Sequence, residues 1–170
     1  MARDAVDVIL EQWQRERPEL DHSPIGVFGR VARLAPLLQR EIEAELGRHG
    51  LTGPEYDVLA TLRRSGPPYT LTPTDLSRSM MISSGAMTYR LDQLEKRDLL
   101  RRSPDPDDRR GVLVALTPEG VRTVDETVAV HLQNEARVLA ALRPAEREAL
   151  AGLLRALLVT LEPPPPLESP

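Results

Sequence analysis

The chain has 170 residues, enough for one domain with a sizeable core or for one domain with additional arms. It contains no cysteine, which excludes disulfide bonds, thiolate catalysis, cysteine-based zinc sites and thiol redox sensing. Its formal net charge is −4, a balance that argues against nucleic-acid binding when it is taken alone.

The charge is unevenly distributed along the chain. Acidic residues are frequent in the first 22 positions, whereas arginines gather between positions 78 and 110. Because a binding groove responds to the local field, this distribution restores nucleic acid as a candidate partner. No apolar run is long enough to span a membrane and no signal peptide begins the chain, so we expect a cytoplasmic protein without a membrane partner.

Two helices are predicted in the first 50 residues. The dipeptide Ser23-Pro24 supplies an N-cap and an N1 proline for the second of them. Pro36 lies inside this second helix and predicts a kink or a break. The first helix, over residues 4–16, has one apolar face at helical spacing: Val6, Ile9, Leu10 and Trp13.

The next segment has the pattern of a helix-turn-helix. A capping box at Thr52 and Glu55 begins one helix, and a short helix is predicted over residues 72–79. After a turn, Ser83 is expected to cap a further helix that ends near residue 96. The inward side of that helix is predicted to carry Met87, Leu91 and Leu94.

A β-hairpin follows the helix-turn-helix. Two short apolar runs, Leu99-Leu100 and Val112–Leu116, predict its strands. The loop between them is polar and holds the triplet Asp108-Arg109-Arg110. A hairpin with a basic tip directly after a helix-turn-helix is typical of a winged DNA-binding domain.

Two further helices are predicted after the hairpin. Thr117 caps the first of them, and Arg143-Pro144 ends it. The buried stripe of the first is expected to comprise Val121, Val124, Val128, Leu132 and Leu139. The last helix carries a row of leucines: Leu150, Leu153, Leu154, Leu157, Leu158 and Leu161. The proline-rich tail, residues 163–170, is expected to be extended and poorly ordered.

The predicted fold is therefore mainly α, in the α+β class, with a winged helix-turn-helix domain at residues 51–116. The flanking helices carry more apolar surface than one small winged domain needs, which indicates a partner, most simply a second copy. The flanking segments are an extra N-terminal helix, a dimerisation helix and C-terminal dimerisation helices: residues 1–22, 23–50 and 117–162.

DNA contacts are predicted at two places. Small and hydroxylated residues begin the second helix of the helix-turn-helix, where backbone N–H groups and hydroxyls approach phosphates and base edges. At the hairpin tip, Arg109 or Arg110 is expected to enter a narrow minor groove, with Asp108 holding the guanidinium by a bidentate pair. A capped surface helix and a solvated charged loop are the alternatives. The helix candidates are Ser83, Ser84 and Thr88.

A resemblance to the MarR family of bacterial regulators is carried by two segments, LTPTDLSRSMMISSGAMTYRLDQLEKRDLLRR and DPDDRRGVLVALTPEG. Its most specific part is the Asp-x-Arg pattern of the hairpin, followed by the Leu-Thr-Pro that opens the next helix. The resemblance implies a homodimer with interlocked first and last helices that binds a pseudo-palindromic double-stranded operator, often as a repressor. Two recognition helices would then read half-sites about 34–36 Å apart.

The extra N-terminal helix carries the only tryptophan, a combination that resembles the urate-responsive branch of this family. A planar anion also suits an aromatic face with arginines on chemical grounds. A related branch uses similar residues for tricarboxylates, so the organic acid stays open. Two structural interpretations also stay open: Trp13 as a core residue, and Asp57 with Arg90 as a structural ion pair. The implied effector residues are Trp13, Asp57, Ser65, Arg90 and Arg102.

An enzyme and a protein-interaction module are the two alternatives to a regulator. The three histidines are scattered, without metal-ligand or catalytic spacing, and there is no glycine-rich phosphate loop. No enzyme activity, metal site or cofactor is therefore expected. A winged-helix protein-interaction module that binds no DNA is the alternative, and the acidic balance is its main support.

Overall fold

Within residues 2–80 and 84–162, which the computed structural model describes, the chain forms helices, one 3-10 turn and a small antiparallel sheet. A first compact unit ends at His131 and a second begins at Leu132. The helices are α1 Ala5–Glu16, α2 Ser23–Arg48, α3 Gly53–Arg64, α4 Pro73–Met80, α5 Ser84–Lys96, α6 Pro118–Val138 and α7 Pro144–Leu161, with the 3-10 turn at Leu139–Ala141. The sheet has the order β1-β3-β2, with β1 Thr70–Leu71, β2 Leu100–Pro104 and β3 Val112–Leu116.

The helix starts follow local capping chemistry. Thr52 accepts a hydrogen bond from the backbone N–H of Glu55, and the Glu55 carboxylate accepts one from the N–H of Thr52, which confirms the predicted capping box. Ser23, however, is the first residue of α2 and not its N-cap. Its backbone N–H and its hydroxyl both donate to the Asp21 carboxylate, at 2.9 Å. The Ser23 hydroxyl therefore bonds to the residue that precedes the N-cap, His22, and caps no N–H of α2.

α2 continues through Pro36, so the break considered there is absent. A proline removes one backbone hydrogen bond from a helix, and the turns on either side retain theirs. The described contacts of α2 with α1 include an ion pair of Arg30 with Asp4 and Asp7, at 2.8 and 2.6 Å. The extra N-terminal helix is therefore attached to α2 by charge as well as by apolar packing.

The core of the first unit lies among α3, α4, α5 and the sheet. The three residues predicted on the inward side of α5 are buried there, since Met87, Leu91 and Leu94 are 1%, 2% and 0% exposed. β1 was not predicted because it is only two residues long. It pairs with β3 through Thr70 opposite Ala115. This arrangement is the predicted winged helix-turn-helix, in which β2, β3 and the loop at residues 105–111 form the wing.

Apolar faces remain exposed outside this core. On α2, Phe28 is 75% exposed. On α6, Val124 is buried but Leu132 is 57% exposed, and Leu139, in the 3-10 turn, is 38% exposed, so the predicted burial is wrong for the single chain at these two positions. A periodic pattern marks the apolar side of a helix, but it does not tell whether the same chain supplies the surface that covers it. All six leucines predicted on α7 are exposed as well.

The start of α6 lies very close to the backbone just before β2, and Gly120 is the residue at the closest approach. A Cβ placed on Gly120 would lie 1.8 Å from the carbonyl oxygen of Leu99. The N–H of Gly120 donates to the Thr117 hydroxyl at 2.9 Å, and that hydroxyl donates to the carbonyl of Asp98 at 2.6 Å. Only glycine fits this approach without a backbone shift.

We therefore expect Gly120→Ala to lower the free energy of unfolding by about 3 kcal/mol, because the added methyl group meets backbone that cannot rotate away. Urea denaturation measures this change. Gly47→Ala is the matched control, since a Cβ there meets no atom within 4 Å. The control should be neutral or stabilising by about 0.5 kcal/mol. Equal stability of the two variants would contradict the close approach.

Candidate DNA-binding interface and effector site

The DNA contacts predicted on the helix-turn-helix fall at the start of α5. Ser84 is the first residue of α5, and Thr88, one turn further on, is exposed. Ser83 lies outside the described residues. The sequence interpretation did not single out Tyr89, which is 68% exposed and lies between the buried Met87 and Leu91. Its signal was its spacing, since it lies three residues after the exposed Ala86 and therefore on the side opposite the core.

The wing tip is ordered by its own backbone. Asp105 donates its N–H to the carbonyl of Gly111 at 3.0 Å, and Gly111 donates to the carbonyl of Asp108 at 2.8 Å. The Asp108 carboxylate accepts the backbone N–H of Arg110 at 2.9 Å. Neither Arg109 nor Arg110 forms an ion pair within the described ranges, and both are exposed. The predicted bidentate pair of Asp108 is therefore absent in the free chain, because its carboxylate closes the turn instead.

Arg102, at the base of the wing, is bound to α5. Its guanidinium donates to Asp92 at 2.6 Å and to Glu95 at 2.9 Å. Its backbone N–H also donates to Glu95, and the guanidinium donates to the carbonyl of Thr88 at 3.3 Å. The structure thus places this predicted effector residue where it fixes the wing relative to the recognition helix.

Asp57 is the centre of a second group of charges. Its side chain is exposed in the single chain, yet loss of surrounding water raises the pKa of its carboxyl. The positive fields of Arg90, Arg64 and His131 oppose this rise. Asp57 forms no ion pair at bonding distance among the residues that the structure describes, so the structural ion pair with Arg90 is not formed. We call Asp57, Arg64, Arg90 and His131 the Asp57 cluster.

Arg64 is the member of the Asp57 cluster that the sequence interpretation missed. It follows Asp57 by seven residues on α3, a spacing that places both on one face of a helix. The interpretation of the segment as a helix end drew attention to Ser65 instead. The hydroxyl of Ser65 donates to the carbonyl of Leu62 at 2.7 Å, which is a local contact at the end of α3.

Trp13 is a half-exposed residue on α1. It is 46% exposed, so it is not a core residue of the single chain. Its ring stacks on His22, with ring centroids 6.4 Å apart and planes 19° from parallel. The described contacts of Trp13, Ser65 and Arg102 are thus to residues outside the Asp57 cluster, whereas Arg90 contributes a positive field at Asp57.

Two features of the described ranges bear on other functions. No group of three or more His, Asp or Glu side chains there is placed to hold a metal ion. Among the helices of these ranges, none combines the length and the apolar character needed to cross a membrane.

The geometry of helix-turn-helix and wing is matched by known proteins. The MarR family model matches residues 49–111. The HTH-type transcriptional regulator PecS of Dickeya dadantii is 38% identical over 149 residues, which cover 88% of this chain and 90% of that protein. Such relatives are transcriptional regulators, which confirms the assignment as a regulator and not an enzyme.

Solved structures show the same fold. Sco3205 of Streptomyces coelicolor, a MarR family transcriptional regulator solved in complex with DNA, matches with a TM-score of 0.76 at 26% identity, covering 88% of this chain and 99% of that one. BpsR of Bordetella bronchiseptica, solved to explain how 6-hydroxynicotinic acid regulates its DNA binding, is 34% identical with a TM-score of 0.63, over 76% of this chain and 97% of that one. On its fold and on these relatives, the chain belongs to the MarR family of DNA-binding transcriptional regulators.

Proposed function

We propose that this protein is a ligand-responsive repressor that binds a pseudo-palindromic operator as a homodimer and leaves it when a small anion binds. The observation that carries the proposal is the wing tip, where Asp108 orders the turn and Arg109 and Arg110 are exposed, without ion pairs to any described residue. Such arginines are suited to the negative potential of a minor groove, while α5 with Ser84 and Thr88 enters the adjacent major groove. A bacterial repressor of this kind acts in the cytoplasm.

A second copy of the chain is the proposed partner for the apolar faces of α1, α2 and α7. Phe28 and the leucines of α7 together expose more apolar surface than a stable monomer usually does. A two-fold symmetric dimer covers such faces and sets two α5 helices at the spacing of two operator half-sites. Homodimer formation thus supports operator binding.

The Asp57 cluster is the proposed effector site. Arg64 and Arg90 both contribute a positive field there and have no carboxylate at bonding distance among the described residues, which suits a small planar anion such as urate or an organic acid. The planar acid that regulates DNA binding by BpsR belongs to the same chemical class. Trp13 and Arg102 would complete the site in the dimer or after a rearrangement.

The test is a mobility-shift assay on the protein's own upstream region, with urate, a tricarboxylate and 6-hydroxynicotinate as probes. We expect at least one anion to weaken operator binding by about tenfold or more, a usual magnitude for coupling between sites. Trp13→Ala and Arg90→Ala should reduce this effect, and Trp13→Phe should retain it because the aromatic face remains.

Three outcomes separate the parts of the proposal. Unchanged release by the active anion in both alanine variants would remove Trp13 and Arg90 from the site. Indifference of the wild-type complex to every anion would contradict the effector, but not the operator. Failure to bind DNA at any salt concentration would favour the protein-interaction module, to which the acidic net charge points.

A further inference from the structure

Two consecutive arginines end α3, and they are engaged in different ways. Arg63 is fixed by two hydrogen bonds to the Asp125 carboxylate, at 2.7 and 3.2 Å, and lies over the ring of Tyr69 at 4.7 Å. Arg64 forms no ion pair within residues 2–80 and 84–162. Its guanidinium donates to the Thr61 hydroxyl at 3.2 Å and to the backbone carbonyl of Ser79 at 3.4 Å.

The contact with Ser79 joins a member of the Asp57 cluster to the helix-turn-helix. Arg64 lies on the same face of α3 as Asp57 and contributes a positive field at that carboxylate. Ser79 is the penultimate residue of α4, the helix that precedes α5 in the helix-turn-helix. A single side chain therefore reaches from the Asp57 cluster to the end of the first helix of the DNA-binding motif.

We propose that Arg64 is the positioning residue that couples the effector site to the helix-turn-helix: its bond to Ser79 holds the end of α4, and an anion bound beside Asp57 and Arg90 draws the guanidinium away. This inference rests on the proposed effector site and adds the route by which occupancy reaches α4 and α5. It assigns the coupling to a residue outside the five predicted from the sequence.

The strengths of the contacts support such an exchange. A guanidinium bound to a neutral carbonyl at 3.4 Å is at the long end of hydrogen-bond distances and is weakly held. Hydrogen bonds from arginine to an ionised acceptor are shorter and about twice as strong as neutral ones. A carboxylate or urate anion therefore competes well for Arg64, whereas Arg63 stays on Asp125 and does not respond.

The test is a double-mutant cycle that needs no effector. Asp57→Asn removes the charge that draws Arg64 away from Ser79, so we expect it to tighten operator binding by about fivefold, within the usual range of coupling between sites. In an Arg64→Gln background, the same change should have no effect. In an Arg63→Gln background, which loses the same charge from the neighbouring residue, the fivefold effect should persist.

A second readout needs neither DNA nor effector. Hydrogen exchange at the amides of Ser79 and Met80 should be faster in Arg64→Gln than in Arg63→Gln, and circular dichroism confirms that both variants are folded. Arg64→Lys, which keeps the charge but loses the planar fork, should give an intermediate rate and serves if Arg64→Gln does not fold. Equal effects of Asp57→Asn on operator affinity in both arginine backgrounds, or equal exchange rates in Arg64→Gln and Arg63→Gln, would overturn the coupling role.

These outcomes are independent of the effector's identity. If no anion releases the wild-type protein from DNA, the proposed effector function fails while the cycle still decides whether Arg64 links Asp57 to α4. If urate does release it, Arg64→Gln should reduce the change in operator affinity to less than about twofold, and Arg63→Gln should retain it. Full release of the Arg64→Gln variant by urate would overturn the inference.

Discussion

Replacement of both Arg109 and Arg110 by alanine is expected to weaken operator binding by about 100-fold, because each arginine that contacts DNA contributes on the order of 1–3 kcal/mol. Both side chains are exposed and without ion pairs in the described chain, so neither loses an internal partner when it is removed. The turn itself should persist, since Asp108 accepts the backbone N–H of residue 110 and not a side chain. Fluorescence anisotropy with a labelled operator fragment measures the change.

The dependence on salt distinguishes a groove contact from a general loss of charge. Each phosphate contact that is removed lowers the slope of log affinity against log salt by about one, so the wing variant should show a shallower slope. Arg48→Ala combined with Arg122→Ala is the matched control, because it removes two positive charges that pair with Glu45 and Glu119. If the wing variant and this control bind with the same affinity and slope, the wing does not contact DNA.

Glutamates at two leucines of α7 are expected to separate the dimer and to lower operator affinity by about 100-fold or more, since linking two half-site readers contributes two to four orders of magnitude. Leu154 and Leu158 are 41% and 50% exposed in the single chain, and they lie one turn apart. Burial in a dimer interface would remove each glutamate carboxylate from water, and this cost is not offset where the interface has no partner for the charge. Sedimentation velocity measures the mass, and the mobility-shift assay measures affinity.

The control for this variant uses the same helix and the same spacing. Gly152→Glu with Ala156→Glu places two glutamates one turn apart on the side of α7 opposite the leucine row. This pair should leave the dimer and its operator affinity unchanged. A Leu154→Glu, Leu158→Glu protein that remains dimeric would show that the leucine row of α7 is not the interface.

Much of the DNA-binding domain could be predicted from the sequence because its signals are local. The Thr52 capping box, the inward side of α5 and the two wing strands each depend on residues within a few positions of one another. The same kind of signal was too weak for β1, whose two residues pair with β3 only after the wing has formed. It also gave the wrong N-cap at Ser23, where Asp21 competes for the hydroxyl.

The Asp57 cluster was predicted only in part, since its members come from different elements. Arg90 contributes a positive field at Asp57 but forms no ion pair with it among the described residues, whereas Arg102 is held by carboxylates of α5. Arg64 adds a second positive field at Asp57, and its seven-residue spacing on α3 is a signal that Arg63 lacks. Which of two adjacent arginines meets which partner depends on the direction of each side chain in the folded helix.

The helical elements, the wing, the absence of cysteine chemistry and membership of a regulator family were all predictable from the sequence, because caps, periodicity and short motifs act between near neighbours. The use of each charge depended on the fold. The fold closed the wing turn with Asp108, tied Arg102 to the recognition helix and carried Arg64 to Ser79 of α4. The physical reason is that an ion pair or hydrogen bond requires atoms within about 3 Å, and only the fold brings residues of separate elements that close.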